Sequence, residues 1–443
     1  MTQEEALTIL KTGANVFLTG EPGAGKTHTI NQYVRYLREH KIDVAITAST
    51  GIAATHIGGI TIHSWSGIGI KNSLSKYDID AIASREYITK RISRARVLII
   101  DEVSMLASNM IDMVDAVCRA VKDSPEPFGG LQVILVGDFF QLPPVNRTSQ
   151  ATSFAYDALA WREANPIVCY ISEQHRQDDT PFLELLSAIR SNSFDAIHIE
   201  HLEKRRTSEH AAPQNIPKLF SHNVDVDRVN TDILNKIPGE AKLFTMRAKG
   251  AKALVASLQK GCLSPERLSL KIGAAVMFTK NNQKEHFVNG TLGTVQGFSK
   301  LDGHPIVKTK EGRKIDVEEM DWGVEDNGRV LASITQLPLR LAWAITVHKS
   351  QGISLDSAVV DLRQVFEFGQ GYVALSRVKR LSGLHLLGWN QRAFEVHPGV
   401  LEKDSEFRDS SVIAQNMFAG MEVSDIATMH SNFIKASGGK VIG

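Results

Sequence analysis

Apolar residues in this chain come in short unbroken runs, each ending at a polar or glycine-rich segment. Val16-Phe17-Leu18, Val44-Ala45-Ile46, Val97 to Ile100 and Leu131 to Val136 show no alternation, which is the pattern of strands buried on both faces of a parallel sheet. A helical pattern runs from His28 to Leu37, and strands and helices continue to alternate after it, as in an α/β fold. Residues 71–90 are polar with no strong period and read as a small excursion from the sheet. Pro181 to Arg190 predicts an amphipathic helix, Leu219-Phe220 begins a strand-then-helix stretch, and Ala358-Val359-Val360-Asp361 is a further buried strand. Between about 279 and 332 the runs become short and alternating, as in Val307-Lys308-Thr309-Lys310, and are punctuated by Gly290, Gly293, Gly297, Gly303 and Gly312. That predicts a small antiparallel, barrel-like β unit. Beyond about 400 the pattern fades: Val412 to Met417 and Ile426 to Phe433 read as helices, and Gly438-Gly439 as a loose end.

Composition narrows the class without naming a task. The 443 residues allow about three domains, each with a core of its own. With 43% apolar and 22% charged residues the chain is of ordinary soluble type, and its net charge of +1 provides no global basic field. Any nucleic-acid site must then be a local groove. Cys118, Cys169 and Cys262 are far apart and odd in number, so neither a disulfide framework nor a metal cluster is expected, and a reducing cytoplasm suits them. No apolar stretch approaches the eighteen or so residues of a membrane span, and Met1 to Glu5 has no features of a leader.

The candidate chemistry begins directly after the first apolar run. Gly20-Glu21-Pro22-Gly23-Ala24-Gly25-Lys26-Thr27 fits G-x-x-x-x-G-K-[ST], the phosphate-binding loop. Glycines let the backbone curl around a triphosphate with its N–H groups inward. Lys26 reaches the β- and γ-phosphates, Thr27 holds Mg²⁺, and the helix opening at His28 adds its positive end to the site. The run Val97 to Ile100 ends in Asp101-Glu102. Asp101 is suited to the Mg²⁺ shell and Glu102 to orienting and deprotonating an attacking water. The next run ends in Gly137-Asp138-Phe139-Phe140-Gln141-Leu142-Pro143-Pro144, which places Gln141 at the same sheet edge as a γ-phosphate sensor. Thr61-Ile62-His63-Ser64-Trp65-Ser66-Gly67 combines hydroxyls, a histidine and an indole. It suits either phosphate contact with base stacking or a core tryptophan beside a capping serine.

The motifs together resemble the PIF family of DNA helicases (superfamily 1, subgroup B). The resemblance rests on Thr50-Gly51-Ile52-Ala53-Ala54, Gly58-Gly59 and Thr61-Ile62-His63-Ser64, with Ser49 where proline is common in the family. It continues through Glu102-Val103-Ser104-Met105-Leu106, Pro127-Phe128-Gly129-Gly130 and the stretch from Gly137 to Val145. It implies that Gln3 reads the adenine edge, that Gly20, Gly23, Ala24, Gly25, Lys26, Thr27 and His28 cradle the nucleotide, and that Thr50, Gly51, His63, Ser64 and Trp65 face a DNA strand. Glu173-Gln174-His175-Arg176-Gln177 is similar to the motif whose arginine enters the ATP cleft from a second lobe. Leu341 to Gly352 and Tyr372-Val373-Ala374-Leu375-Ser376-Arg377 match later motifs. They make Gly352 and Arg377 nucleotide contacts, and Thr346, His348, Lys349 and Ser350 strand contacts. Val288-Asn289-Gly290 matches the entry to an SH3-like insertion, which adds Asn289 and Gly290 to the strand contacts.

The resemblance therefore implies an α/β protein of two RecA-like parallel-sheet lobes. The first lobe spans 1–165, with the excursion at 71–90. The second spans 166–278 and 333–400, the β insertion 279–332 interrupts it, and a tail follows from 401 to 443. It also implies an ATP- and Mg²⁺-dependent helicase moving 5′→3′ on single-stranded DNA, acting on duplex junctions or structured DNA, monomeric and without membrane. Two rivals are a DNA translocase or RNA-directed helicase of the same architecture that does not unwind DNA itself, and a nucleotide-gated loader, against which Gln351-Gly352 and Arg377 argue for a second RecA-like lobe.

Overall fold

The computed structural model describes residues 1–441 apart from 70, 145–151, 174–178, 214–215, 221–225, 283, 311, 327–328, 348–349 and 352. The chain divides into two compact units. Met1–Phe139, Pro143–His175 and Pro398–Gly443 form the first, and Phe140–Leu142 with Arg176–His397 form the second.

The unbroken apolar runs become the sheet of unit 1: β1 (Val16–Gly20), β2 (Val44–Ala48), β3 (Ile60–Thr61), β4 (Val97–Asp101), β5 (Gln132–Val136) and β6 (Ile167–Ile171). Their order is β3-β2-β4-β5-β1-β6 and every pairing is parallel. β1 aligns Val16–Leu18 with Ile134–Val136 of β5, and Val16–Gly20 with Ile167–Ile171 of β6. All five residues of β1 are buried, as are those of β5, so both strands need side chains that can be covered on either face. Because the strands point one way, Gly20, Asp101 and Gly137 emerge at one edge of the sheet. Binding residues gather at this edge in parallel sheets. The helix Lys26–Glu39 buries Thr29, Ile30, Tyr33, Val34 and Leu37 along one stripe. The buried Tyr33 hydroxyl donates to Gln132 Oε1 at 2.6 Å, and the Gln132 amide donates to the carbonyls of Leu10 and Ala14. The polar excursion forms two short helices, Lys76–Ala83 and Glu86–Arg94, which bury only Ile82, Ile88 and Ile92.

The end of the chain is neither patternless nor loose. Pro398–Ala419 and Val423–Ala436 are helices of unit 1. The first buries Val400, Phe407, Ser411, Ala414 and Phe418. Phe407 packs against Phe17 of β1, with ring centroids 4.8 Å apart, and the Ser411 hydroxyl accepts from the Tyr170 backbone N–H of β6 at 2.9 Å. At Gly438-Gly439 the Gly439 N–H donates to Ile434, and Lys440 N–H donates to the His40 carbonyl at 2.7 Å. Backbone pairing to a distant helix end fixes what two adjacent glycines suggest should fray.

Unit 2 starts its sheet with β7 (Lys218–Phe220) and then departs from it. The intervening strands are β8 (Lys242–Thr245), β9 (Arg247–Gly250), β10 (Arg267–Leu270), β11 (Ala275–Phe278), β12 (Leu292–Phe298), β13 (Pro305–Thr309), β14 (Lys314–Asp316), β15 (Met320–Asp326), β16 (Arg329–Gln336) and β17 (Leu339–Leu341). The sheet resumes with β18 (Ala344–Thr346), β19 (Ala358–Leu362) and β20 (Leu384–Trp389), giving the parallel order β18-β7-β19-β20. The β-rich segment is therefore wider than 279–332. β11 pairs antiparallel with both β12 and β17, setting Val276 opposite Gly293 and Leu341, and the sheet β14-β13-β12-β11-β17 spans both proposed boundaries. One core joins Val276 and Phe278 to Val295, Val307, Ile315, Leu337 and Leu339. Local pattern marks the glycine-rich middle of this sheet but not the strands that close it.

Candidate active site

The phosphate-binding loop leaves β1 at Gly20 and enters the helix Lys26–Glu39 through Gly25. Gly25 has φ +93°, and a Cβ there would sit 2.1 Å from Gln3 Nε2. Both the backbone twist and the close approach of the Gln3 amide require glycine at this point. Gln3 opens the helix Gln3–Leu10, whose N-terminus is capped reciprocally by Thr2 and Glu5. Its side chain donates to the Ala24 carbonyl at 3.1 Å, and its backbone N–H donates to Glu173 Oε2 at 2.8 Å. Gln3 therefore lies against the loop, a placement that spacing alone does not give. Lys26 Nζ bends back over the loop and donates to the carbonyls of Gly20 at 2.7 Å and Glu21 at 3.2 Å. Thr27 and His28 are exposed at the head of the helix, and Gln32 Nε2 is 2.9 Å from His28 Nε2.

Asp101 ends β4, and its Oδ1 accepts from the Glu102 N–H at 2.8 Å. Burial pushes the Asp101 carboxyl above its usual range and the neighbouring Glu102 carboxylate adds to this, while the Lys26 ammonium opposes both. The charge of Lys26 is thus felt at the end of β4. Glu102 turns the chain at φ 53°, in the left-handed region. An exposed hydroxyl at Thr27 and a half-buried carboxylate at Asp101 are hard oxygen donors, and a partly desolvated carboxylate favours a neighbouring cation. These residues suit Mg²⁺ held together with nucleotide phosphates. No group of three or more His, Cys, Asp or Glu residues able to hold a metal ion alone occurs among the described residues.

Within unit 1 the expected strand-facing residues separate into two sets. Thr50 accepts the Ala53 N–H at 3.2 Å and precedes the short helix Gly51–His56. Thr61 caps the helix Ile62–Ser66 by accepting from Ser64 N–H, and burial pushes the His63 pKa down. Trp65 is only 4% exposed, which leaves no open ring face on which a base can stack. The core reading of the indole therefore replaces the stacking one.

Unit 2 holds the remaining residues. Gln141 clusters with it although Phe139 and Pro143 do not, and Gln351 Nε2 donates to Gln141 Oε1 at 3.3 Å. Arg377 is 5% exposed: Nε donates to the Val373 carbonyl, Nη2 to Ser376 Oγ and Nη1 to the Ser350 carbonyl. Ser350 is fully buried, its hydroxyl donates to the Val347 carbonyl at 2.7 Å, and it serves the Arg377 anchor in place of the expected strand contact. Thr346 ends β18 half-buried. Gly290 has φ +95°, and a Cβ there would lie 2.2 Å from the Ser354 carbonyl, while the Asn289 N–H donates to Asn281 Oδ1 at 2.7 Å. Arg176, His348, Lys349 and Gly352 lie outside the described residues. Sequence reasoning missed Glu173, Gln351 and Ser376 as positioning groups. Each stands inside or beside a motif, but only the fold reveals its partner.

The loop, the acidic strand end and the parallel sheet define a phosphate-loop nucleoside triphosphatase. Comparison with known proteins narrows the class. The family description "PIF1-like helicase" matches residues 3–193, and "DNA helicase Pif1, 2B domain" matches 253–298. The ATP-dependent DNA helicase Pif1 of Psychrobacter sp. (strain PRwf-1) is 41% identical to this chain over 99% of it and 75% of the relative. Among solved structures, Bacteroides sp. Pif1 in complex with ADP-AlF4 has a TM-score of 0.79 and 28% identity, covering 92% of this chain and 96% of that one. Bacteroides Pif1 bound to single-stranded DNA has a TM-score of 0.62 and 28% identity, covering 91% and 96%. The chain belongs to the Pif1 family. It is an ATP-dependent DNA helicase of two RecA-like lobes, with ATP and Mg²⁺ as its cofactors.

Proposed function

We propose that this helicase moves 5′→3′ on single-stranded DNA as a monomer in solution and opens duplex junctions and structured DNA. The observation that carries the motor reading is the phosphate-binding loop at the end of β1, with Lys26 folded over its carbonyls, on the same parallel sheet whose β4 ends in Asp101-Glu102. Lys26 binds the β- and γ-phosphates as a point charge, and Gln3 reads the adenine edge. Thr27 and Asp101 hold the Mg²⁺, which neutralises phosphate charge when bound. Glu102 orients the attacking water and takes its proton. Arg377 and Arg176 stabilise charge that develops on the γ-phosphoryl, a task suited to the planar, always-charged guanidinium. Gln141 senses the γ-phosphate.

Strand contacts are mainly to phosphates, made by Thr50, Gly51, His63, Ser64, Asn289, Gly290, Thr346, His348 and Lys349, so binding is largely independent of sequence and weakens with salt. The β-rich segment of unit 2 touches DNA or sets the coupling of hydrolysis to strand separation and stands outside the nucleotide site. Three free cysteines suit a reducing compartment, and no helix among the described residues is long and apolar enough to cross a membrane.

The test is strand displacement with duplexes carrying a 5′ or a 3′ single-stranded tail. ATP-dependent opening of the 5′-tailed duplex alone is expected. Opening of the 3′-tailed duplex alone would reverse the polarity, and ATP hydrolysis with neither opened would leave a translocase.

A further inference from the structure

Arg190 is the last residue of the helix Thr180–Arg190 and is only 2% exposed. Lysine and arginine at a helix C-terminus ordinarily face solvent, where they complement the dipole at little cost. A buried guanidinium costs several kcal/mol unless its surroundings compensate. The compensation here includes two aromatic rings of unit 2. The guanidinium carbon is 4.2 Å from the centre of the Phe140 ring and 5.7 Å from that of Tyr372, and Nη1 donates to the Tyr372 hydroxyl at 2.9 Å. Tyr372 is itself fully buried.

The two rings belong to segments with assigned chemistry. Phe140 immediately precedes Gln141. Tyr372 lies in the helix Gln370–Ser376, whose C-cap is Arg377. The same two segments meet at backbone level as well. Gly369 has φ +74°, and a Cβ there would lie 2.5 Å from the Phe140 carbonyl oxygen and 2.8 Å from that of Gln141. Gln351 completes the arrangement by donating to Gln141 Oε1. The Phe140–Gln141 peptide is thus held from three directions: a cation over one ring, a glycine against its carbonyls and an amide on its side chain.

We propose that Arg190 is a positioning residue for ATP hydrolysis, fixing Phe140, and through it Gln141, against the helix that leads into Arg377. A desolvated cation–π contact together with a charge-assisted hydrogen bond is strong enough to hold a short loop in one arrangement. A leucine of similar reach would fill the space without setting the loop's orientation. The inference rests on the assignment of Gln141 and Arg377 to the γ-phosphoryl.

The test compares Arg190→Met, Arg190→Lys, Tyr372→Phe, Gln141→Ala and the double variant Arg190→Met with Gln141→Ala, in single-strand-stimulated ATP hydrolysis. For Arg190→Met, kcat should fall about 10–30-fold while KM for ATP and single-strand affinity stay close to wild type. Arg190→Lys, which keeps the charge but not the fork, should recover part of the loss. Tyr372→Phe should show a smaller fall of the same kind. In the double variant the Arg190 change should add little to the loss from Gln141→Ala, because both remove one function. Unchanged kcat in Arg190→Met, or full losses that multiply in the double variant, would overturn the proposal. If Arg190→Met does not fold, Arg190→Lys and Tyr372→Phe carry the comparison by the same kcat-against-KM split. Wild-type turnover in Gln141→Ala would instead refute the assignment of Gln141, whereas a slow Gln141→Ala beside a normal Arg190→Met would refute only the role of Arg190.

Discussion

A glutamate at φ 53° is held in a conformation that costs roughly 1–3 kcal/mol for a residue with a Cβ. At Glu102 that cost falls directly after β4 delivers Asp101, so the proposed base and the proposed metal ligand are consecutive residues at one strand end. Glu102→Gln keeps the shape and removes the base: it should bind ATP normally and lose single-strand-stimulated hydrolysis, as measured by nucleotide binding beside phosphate release. Lys26→Ala should lose both. Trp65 gives the opposite expectation. Truncating a buried indole to alanine costs about 3–5 kcal/mol, so Trp65→Ala should unfold at markedly lower denaturant while its single-strand affinity, measured on the folded fraction, holds. A fall in affinity without a fall in stability would restore the stacking role. The phosphate-binding loop was legible because its chemistry is compressed into eight neighbouring residues. The orientation of Trp65 was not, because hydroxyls and an indole side by side have the same composition whether the ring points to the core or to a base.

Among the elements, the helix Pro398–Ala419 shows why a pattern can be present and still escape reading. Its buried positions, 400, 407, 411, 414 and 418, follow helical spacing, but one is a serine, and Val412, Ile413 and Met417 between them are exposed. Apolar residues on the outer face blur the stripe that marks the inner one. Phe407 is the best probe of its worth, since its ring meets those of Phe17, Phe139, Tyr156 and Trp161. Phe407→Ala should cost unit 1 about 3–5 kcal/mol, read as an earlier unfolding transition that bound ATP partly restores. An unchanged transition would mean that the helix contributes little to the core. The full extent of the β-rich segment of unit 2 is hidden from the sequence for a different reason: Val276 and Leu341 are partners across a long stretch of sequence, and strand pairing at that separation leaves no local trace. Excising 279–332 would strip Val295, Val307 and Ile315 from a core that β11 still lines, so such a deletion reports on folding before it reports on unwinding.

For the molecule as a whole, the order of motifs made the two lobes and their sequence legible, since each motif needs a strand end to stand on. It did not reveal that unit 1 is built from both ends of the chain, with residues 176–397 between its parts. A chain stopped after His397 should therefore keep unit 2 intact while unit 1 unfolds more readily. Limited proteolysis would then cut first within 1–175, and equal resistance in both units would contradict the expectation. The split also sets a timetable during synthesis. At about 5–20 residues per second, the 222 residues from 176 to 397 occupy the ribosome for on the order of 10–45 s. Through that interval the nucleotide-binding half lacks Phe407 against Phe17 and Ser411 on β6, and should be more exposed to chaperones and proteases than the finished unit. Its ATPase site reaches full stability only after residues 398–419 have emerged and folded onto it.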